Sequence, residues 1–288
     1  MTTIAIAGTG RMGTAFAKRL IETGHQVTVW NRTPARTGPA VEAGATLSPD
    51  LKGLAAVDTL LLSLTDAAAV EDVVAGLIAA GLTGKLVIDL STLLPDETRA
   101  VAARVTEAGA DFVDCPVGGT VGPALKGQLL GMAGGTEAAF ARAQPVLEHL
   151  CRRVEHLGPA GTGASMKLAV NLPLALYWQT LAEALAVLQG SGIAPETAIS
   201  MIADSSAGPT VLKNRGQVVI DTLAGTDQPG TFDIAGLAKD LDLALRQAAL
   251  TGRALPMSQE ARKNYAKALD AGLGGFDGAS LTRHLIGD

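Results

Sequence analysis

TIAIAGTGRMG, residues 3–13, joins a short apolar run to three glycines, Gly8, Gly10 and Gly13. The apolar run has the length and the β-branched content of a strand, and the TAFAKRLIETG that follows has the character of a helix. A strand, a glycine-rich turn and a helix in this order are typical of the first unit of a doubly wound parallel sheet. The stretch therefore predicts an α/β fold.

The rest of the chain changes character near residue 160. Before it, β-rich runs alternate with helical segments, at HQVTVWN, DTLLLSL, KLVIDLS and DFVDCPVGG. After it, long Ala/Leu patterns with helical spacing take over, such as NLPLALYWQTLAEALAVLQG. We predict a Rossmann-type dinucleotide-binding domain over residues 1–162, and over residues 163–288 an all-α domain for substrate and dimer contacts that begins with a long interdomain helix. The active cleft is expected between the two domains.

Composition excludes several classes of partner. The net charge is −5 and no basic block occurs, which argues against nucleic-acid binding. Charged residues or glycines interrupt every apolar stretch before it reaches the roughly 18 residues of a membrane span. The two cysteines fit a reducing, cytoplasmic location. Hydrophobic residues make up 48% of the chain, which predicts contacts between subunits, as in a homodimer or homotetramer formed through the helical domain. Small molecules are the expected partners.

The glycine-rich turn predicts a pyrophosphate site. Glycines let backbone N–H groups approach the phosphates at the start of the next helix, whose dipole favours negative charge. The expected cofactor contacts in this turn are Gly8, Thr9, Gly10, Arg11, Met12 and Gly13.

The end of the second predicted strand, WNRT, indicates which dinucleotide binds. An acidic residue there would accept hydrogen bonds from the ribose hydroxyls and repel a 2′-phosphate. This sequence instead has the neutral Asn31, then Arg32, which can hold a phosphate, and Thr33, which adds a hydroxyl. NADP(H) is therefore favoured over NAD(H). The alternative is that Arg32 is only a solvated surface residue.

Two other loops leave predicted strands where a doubly wound sheet presents ligands. One contains Leu64 and Thr65, and the other contains Thr92. Either could be an ordinary connection, and Thr92 or Asp96 could serve as a helix cap.

GTGASMKLAVN, residues 161–171, places a charged amine in an apolar run. On a helix, Lys167 and Asn171 share one face, and the small residues Gly163 and Ala164 a turn earlier leave room for a ligand. A partly buried lysine loses its charge more readily, which suits proton transfer. The alternative is a lysine whose amine snorkels to water.

Six motifs in order resemble the β-hydroxyacid dehydrogenase family, which includes 3-hydroxyisobutyrate dehydrogenase, tartronate semialdehyde reductase and the glyoxylate/succinic semialdehyde reductases. They cover essentially the whole chain, as IAGTGRMG, DLSTLLP, DCPVGGTVGPALKGQLLGMAGG, GTGASMKLAVN, FDIAGLAKDLDLAL and GGFDGAS. The resemblance implies an oxidoreductase that transfers a hydride between NADP(H) and a small β-hydroxy acid or its semialdehyde or keto acid.

The resemblance also implies roles for single residues. Lys167 would be the catalytic acid and base, Asn171 its supporting amide, and Lys239 a neighbour of the nicotinamide and the substrate. The residues lining the cofactor cleft would be Leu64, Thr65 and Thr92. The substrate carboxylate would be bound by Gly118, Gly119 and Thr120. The family's usual DAPVSGG reads DCPVGGT here, so the serine is missing at Gly118 and a hydroxyl appears at Thr120, which leaves the substrate open.

Two other functions stay open. An imine reductase has the same cofactor domain and a similar WNRT stretch, but usually lacks a lysine at the position of Lys167. A dinucleotide-binding module without turnover would not need both Lys167 and Lys239.

Three local patterns have ordinary explanations. EHLCRRVEH groups His149, Cys151 and His156, but the spacing matches no familiar zinc pattern and no metal is expected. Cys115 could be oxidised, but an unpaired cysteine is more often a small buried apolar residue. KDLDLAL is charged enough to be the solvated edge of an amphipathic helix.

Overall fold

The computed structural model describes residues 2–287. The chain divides into two compact units, the first ending at Lys167 and the second starting at Leu168. A long helix begins at Thr162, close to the predicted domain boundary, and the division between the units falls inside that helix.

The first unit is built on a sheet whose central strands are short and apolar. Its strands are β1 Thr3–Ala7, β2 Gln26–Trp30, β3 Thr46–Leu47, β4 Thr59–Leu62, β5 Leu86–Asp89, β6 Asp111–Asp114, β7 Val117–Gly118, β8 Leu129–Gly135 and β9 Cys151–His156. Its helices are α1 Arg11–Glu22, α2 Gly38–Val41, α3 Leu51–Leu54, α4 Ala67–Ala80, α5 Pro95–Glu107, α6 Val121–Leu125 and α7 Glu137–Leu150, with a 3₁₀ turn at Pro34–Thr37.

The strand order confirms a Rossmann-type doubly wound sheet. β3, β2, β1, β4, β5 and β6 are parallel neighbours in that order. β8 then pairs antiparallel with β6, β7 antiparallel with β8, and β9 parallel with β8. The order reverses at β1, which has β2 on one side and β4 on the other, and doubly wound sheets bind ligands at the carboxyl ends of the strands at such a point.

β1 shows that the sheet is buried on both faces. Ile4 and Ile6 belong to one apolar cluster together with Phe16 of α1, whereas Ala5 and Ala7 belong to the cluster on the other face. Parallel strands covered by helices on both faces have continuous apolar sequences, which is the pattern of TIAIA. The turn after β1 is therefore held by a rigid strand.

The second unit is helical, as the Ala/Leu patterns predicted. The long helix that continues into it from the first unit is α8 Thr162–Val187. The helices that follow are α9 Pro195–Asp204, α10 Thr210–Leu223, α11 Ile234–Leu250, α12 Pro256–Asp270 and α13 Ser280–Ile286. Trp178, Leu181 and Tyr265 lie in its apolar core. The Tyr265 hydroxyl donates to the carbonyl of Ala175 at 2.8 Å, and burial raises its pKa above the ordinary value.

The histidines and cysteine of EHLCRRVEH face different neighbours. The ring of His149 meets the ring of His25 edge-on, with 4.8 Å between centroids, and His156 stacks on Phe140 at 4.8 Å. Within residues 2–287, no group of three or more His, Cys, Asp and Glu side chains is arranged to hold a metal ion. Across the same range, none of the helices is both long and apolar enough to cross a bilayer.

Cys115 and Cys151 are buried free thiols on either side of one glycine. A Cβ on Gly131 would lie 3.2 Å from each sulfur. Burial raises the pKa of Cys151 to about 12 and raises the pKa of Cys115 well above its ordinary value. Both thiols are therefore protonated at neutral pH, the form with low nucleophilicity.

We expect neither thiol to react with Ellman's reagent while the protein is folded, even at about pH 8, where an ordinary thiol with a pKa of about 8.5 reacts. Unfolding in guanidinium should make both reactive, because it restores the ordinary pKa and removes the packing. The absorbance of the released thionitrobenzoate measures both states. Fast reaction of either thiol before unfolding would contradict this account of their burial.

Candidate active site

The glycine-rich turn between β1 and α1 is closed by backbone packing. Gly8 has a φ of +96°, in the left-handed region, and a Cβ there would lie 2.3 Å from the carbonyl oxygen of Ser63. A Cβ on Gly13 would lie 1.9 Å from the carbonyl oxygen of Gly8. A Cβ on Gly10 would meet no atom within 4 Å. The turn itself therefore requires Gly8 and Gly13, whereas Gly10 leaves open space beside the start of the helix.

The start of α1 fits an anion. Gly10 supplies no side-chain cap, and the first turn of the helix contains no acidic residue. The N–H groups of a first helical turn have no partner within the helix, and the dipole gives that end a partial positive charge. Together with the open space at Gly10, these features suit the pyrophosphate of a dinucleotide.

Among the predicted contacts, Arg11 is exposed, and Met12 is half-buried and packs against the core of the sheet.

Asn31 ties the glycine-rich turn to the loop after β2. Its side-chain oxygen accepts a hydrogen bond from the Thr9 amide at 3.1 Å, and its side-chain nitrogen donates to the Thr33 carbonyl at 3.0 Å. Thr9 is buried, and its hydroxyl donates to the Arg36 carbonyl at 3.1 Å. The side chains of Asn31 and Thr9, both predicted to contact the cofactor, therefore hold the loop in shape, and Arg32 and Thr33 are exposed beside them.

The loops after β4 and β5 are joined through a buried serine. The Ser91 hydroxyl accepts from the Leu64 amide at 3.0 Å, and the Ser91 amide donates to the carboxylate of the buried Asp89 at 2.9 Å. Thr65 is exposed and Thr92 is half-buried. The structure thus links the two predicted cofactor loops at the carboxyl ends of neighbouring strands, through a carboxylate that the sequence interpretation did not single out.

Lys167 lies in the second turn of α8 and is only 8% exposed. Its Nζ donates a hydrogen bond to the carbonyl of Val117 at 2.8 Å. The alternative of an amine that snorkels to water is therefore wrong. Because Val117 and Gly118 form β7, the amine is attached to the strand that leads into the predicted substrate segment.

The predicted substrate segment has space at Gly118, where the motif that it resembles has a serine. A Cβ on Gly118 would make only ordinary contacts, the nearest being the Leu130 Cβ at 3.5 Å. Gly119 is exposed and has a φ of +118°, a conformation that favours glycine. Thr120 is half-buried at the N-cap of α6, where its side chain makes no capping hydrogen bond. Packing therefore permits a serine at residue 118 but disfavours any side chain at residue 119.

Asp114, the last residue of β6, holds the start of α8. Its Oδ1 accepts from the Gly161 amide at 2.8 Å and its Oδ2 accepts from the Ala164 amide at 2.8 Å. Burial raises the pKa of this carboxyl, and the backbone N–H donors partly oppose the rise. The sequence interpretation missed Asp114, although a charge at the end of an apolar strand is a signal that could have found it.

In the second unit, Asn171 pairs with a buried carboxylate. Its Nδ2 donates to Oδ2 of Asp240 at 2.6 Å, and both residues are buried. The Nζ of Lys239, whose side chain is partly exposed, lies 3.8 Å from Oδ1 of Asp240. The alternative that KDLDLAL is only a solvated edge is therefore wrong for Asp240. This carboxylate, also missed from the sequence, connects the two predicted site residues Asn171 and Lys239.

Two family models together cover nearly the whole chain. Residues 3–158 match the NAD binding domain of 6-phosphogluconate dehydrogenase, and residues 161–285 match the model described as NAD-binding of NADP-dependent 3-hydroxyisobutyrate dehydrogenase. The 3-hydroxyisobutyrate dehydrogenase of Pseudomonas aeruginosa is 32% identical over 98% of this chain and 98% of its own length. Glyoxylate/succinic semialdehyde reductase 1 of Arabidopsis thaliana is 30% identical over 95% of each chain.

Solved structures agree with these matches. The 3-hydroxyisobutyrate dehydrogenase of Mycobacterium tuberculosis, solved with L-serine, has a TM-score of 0.89 and 29% identity over 99% of each chain. A reductive aminase of Aspergillus terreus, solved with NADPH and ethyl-5-oxohexanoate, has a TM-score of 0.62 and 26% identity over 98% of each chain. The chain belongs to the β-hydroxyacid dehydrogenase family, of the 3-hydroxyisobutyrate dehydrogenase type, whose members are NAD(P)-dependent oxidoreductases that act on CH–OH groups.

Proposed function

We propose that the chain transfers a hydride between NADP(H) and a small β-hydroxy acid or the corresponding semialdehyde or keto acid, with Lys167 as general acid and base. The observation that carries the proposal is the buried Lys167 amine, which donates at 2.8 Å to the carbonyl of Val117, directly before Gly118 and Gly119. The names of the relatives, which refer to 3-hydroxyisobutyrate, glyoxylate and succinic semialdehyde, support small carboxylates as the substrate class.

The chemistry assigned to Lys167 follows from the charge that develops on the substrate oxygen. The nicotinamide, when bound, supplies the hydride in reduction and accepts it in oxidation. In reduction, the ammonium form of Lys167 stabilises the oxygen as it becomes negative and donates a proton to it, which leaves a neutral amine and an alcohol. In oxidation, the neutral amine accepts the hydroxyl proton. The Val117 carbonyl takes one of the three ammonium donors and so fixes the position of the nitrogen.

The acid end of the substrate is assigned to the segment that follows Val117. The backbone N–H groups of Gly118 and Gly119 and the hydroxyl of Thr120 bind the carboxylate, which orients the reacting carbon. Because Gly118 has no side chain, the substrate can occupy the volume that a serine would fill. In the second unit, Asp240 accepts a hydrogen bond from the amide of Asn171 and lies 3.8 Å from the amine of Lys239, so one carboxylate contacts both residues to which roles are assigned.

A substrate panel tests this function. NADPH absorbance is followed with glyoxylate, succinic semialdehyde, methylmalonate semialdehyde and a cyclic imine, and each assay is repeated with NADH. We expect turnover with at least one of the carboxylate substrates, at a higher kcat/KM with NADPH than with NADH. Faster reduction of the imine would replace this function by that of an imine reductase, the second candidate because of the similarity to the reductive aminase. Cofactor binding with no turnover of any compound would indicate a binding module.

Arg32 is the residue on which the cofactor preference depends. It is exposed at the end of β2, after the neutral Asn31. We expect Arg32→Ala to weaken NADPH binding about 10- to 100-fold and to change NADH binding little, since a charge-assisted hydrogen bond contributes about 1.5–3 kcal/mol. Fluorescence titration measures both dissociation constants, with Arg104→Ala, an exposed position on α5, as the matched control. An equal loss for both cofactors would remove Arg32 from the phosphate site.

The proposal includes a homodimer or homotetramer formed through the helical unit. The large apolar side chains that are most exposed all lie there, at Val187 (84%), Met201 (70%), Met257 (70%) and Leu250 (64%). Burial of such side chains between subunits is favourable. Light scattering after gel filtration tests the assembly, and a monomer at all concentrations would contradict it. A cytoplasmic location stays a prediction from the low cysteine count.

A further inference from the structure

Asp114 is a buried carboxylate to which the proposed reaction assigns no role. It is 2% exposed, and its two oxygens accept hydrogen bonds from the backbone amides of Gly161 and Ala164 at the start of α8. A buried charge is costly unless hydrogen bonds compensate for its lost hydration. The backbone amides at the start of α8 therefore compensate for the lost hydration of the Asp114 carboxylate, and in return the carboxylate anchors the start of that helix.

The same helix and the same strand segment are joined a second time. The Ala164 amide donates to Asp114, and one helical turn later the Lys167 amine donates to the Val117 carbonyl. Each of the two hydrogen bonds joins residues that are 50 apart in sequence. The first two turns of α8 are thus bonded to both ends of the segment 114–117, and the Lys167 amine donates one of these two hydrogen bonds.

Glycines allow the helix to come this close to the carboxylate. A Cβ on Gly163 would lie 2.7 Å from Oδ2 of Asp114 and 2.2 Å from the Met132 carbonyl oxygen. A Cβ on Gly134 of β8 would lie 2.6 Å from Oδ1 of Asp114. Backbone atoms therefore surround the carboxylate closely, and a small movement of α8 would break its hydrogen bonds.

We propose that Asp114 is a positioning residue: by fixing the first turn of α8 to the end of β6, it sets where the Lys167 amine lies relative to Val117 and the glycine pair after it. The inference rests on the proposed function of Lys167 and deepens it. An amine acts as a general acid only within hydrogen-bond reach of the substrate oxygen, and small misplacements of a catalytic group have large effects on rate.

Asp114→Asn and Asp114→Ala test the proposal in the full-length protein, with NADPH and succinic semialdehyde as the probe, or glyoxylate if that reacts faster. Asparagine keeps one acceptor oxygen and alanine keeps none, so we expect kcat to fall about 10-fold and about 100-fold respectively. The dissociation constant of NADPH should stay within about threefold of that of the unaltered protein. In a Lys167→Ala background, Asp114→Asn should cause no further loss, because no amine remains to be positioned.

A second measurement does not depend on turnover. Acetic anhydride labelling followed by mass spectrometry reports how accessible each lysine is. Lys167 should react far more slowly than the exposed Lys52 in the unaltered protein. Asp114→Asn should raise the labelling rate of Lys167 about fivefold or more, because the amine is then released from its buried position, and should leave Lys52 unchanged.

Two further variants separate positioning from general stability. Thr136→Ala removes the cap of α7, where Thr136 accepts from the Ala139 amide at 3.1 Å, and should change neither kcat nor the labelling of Lys167. Gly163→Ala disturbs the same contact from the helix side with the carboxylate still present, and should reproduce the effects of Asp114→Asn even if the latter folds poorly.

The outcomes are distinguishable. If Asp114→Asn costs as much in the Lys167→Ala background as in the unaltered protein, or leaves the labelling of Lys167 unchanged, Asp114 serves only stability and the proposal is overturned. If Lys167→Ala keeps full turnover while Asp114→Asn exposes the amine, the positioning stands and the proposed function of Lys167 fails.

Discussion

Lys167→Ala is expected to lower turnover by about two to four orders of magnitude, the usual effect of removing a general acid, while NADPH still binds. The variant also leaves the Val117 carbonyl without the hydrogen bond that it accepts at 2.8 Å, so a loss of stability of about 1–3 kcal/mol should accompany the loss of rate. Steady-state rates in both directions measure the first effect, and denaturant unfolding measures the second.

Lys167→Arg separates the two halves of the mechanism. A guanidinium keeps the positive charge but does not release its proton near neutral pH, so it can stabilise the developing negative charge without transferring the proton, and turnover should fall in both directions, though less than in Lys167→Ala. Lys18→Ala, at an exposed position on α1, is the matched control and should have ordinary rates. Unchanged rates in Lys167→Ala would remove this residue from the mechanism.

The second large effect is expected for Gly13→Ala. The new Cβ would lie 1.9 Å from the carbonyl oxygen of Gly8, which belongs to the backbone and cannot rotate away. The turn between β1 and α1 must then open, so we expect a destabilisation of about 1–3 kcal/mol. We also expect NADPH affinity to fall about 100-fold, which is equivalent to about 2.8 kcal/mol. Denaturant unfolding and fluorescence titration measure the two effects.

Gly10→Ala provides the informative contrast. A Cβ on Gly10 meets no protein atom within 4 Å, so the free energy of unfolding should not change, whereas NADPH should bind more weakly because the new methyl group occupies the space assigned to the pyrophosphate. Gly275→Ala, also in open space but in the second unit, should affect neither quantity. Tight NADPH binding by Gly10→Ala would mean that the pyrophosphate lies elsewhere.

The parallel part of the sheet could be predicted because its signals are local. Each strand is a short apolar run followed by turn residues, and burial on both faces makes that run continuous. β8, LLGMAGG, was not predicted, since glycine is a poor strand former. Its glycines are explained only by contacts made after folding, with the two thiols at Gly131 and with Asp114 at Gly134.

The candidate site was predictable only in part. Lys167 and Asn171 stand in a recognisable motif, and the glycine-rich turn follows a strand. Asp114 and Asp240 were missed because their partners are 47 to 69 residues away in sequence, and no periodicity connects them. Asn31 was predicted as a cofactor contact from its position after β2, but its hydrogen bonds to Thr9 and Thr33 appear only when both loops are in place.

The continuity of α8 limits how chimeras of this protein can be made. A recombination joint at Gly161 would exchange the whole helix, lysine included, whereas a joint between Lys167 and Asn171 would combine two parental sequences within a single turn. One inserted residue at such a joint would rotate the asparagine by about 100° around the helix axis relative to the lysine. Crossover points in this helix therefore have to preserve its length as well as its sequence.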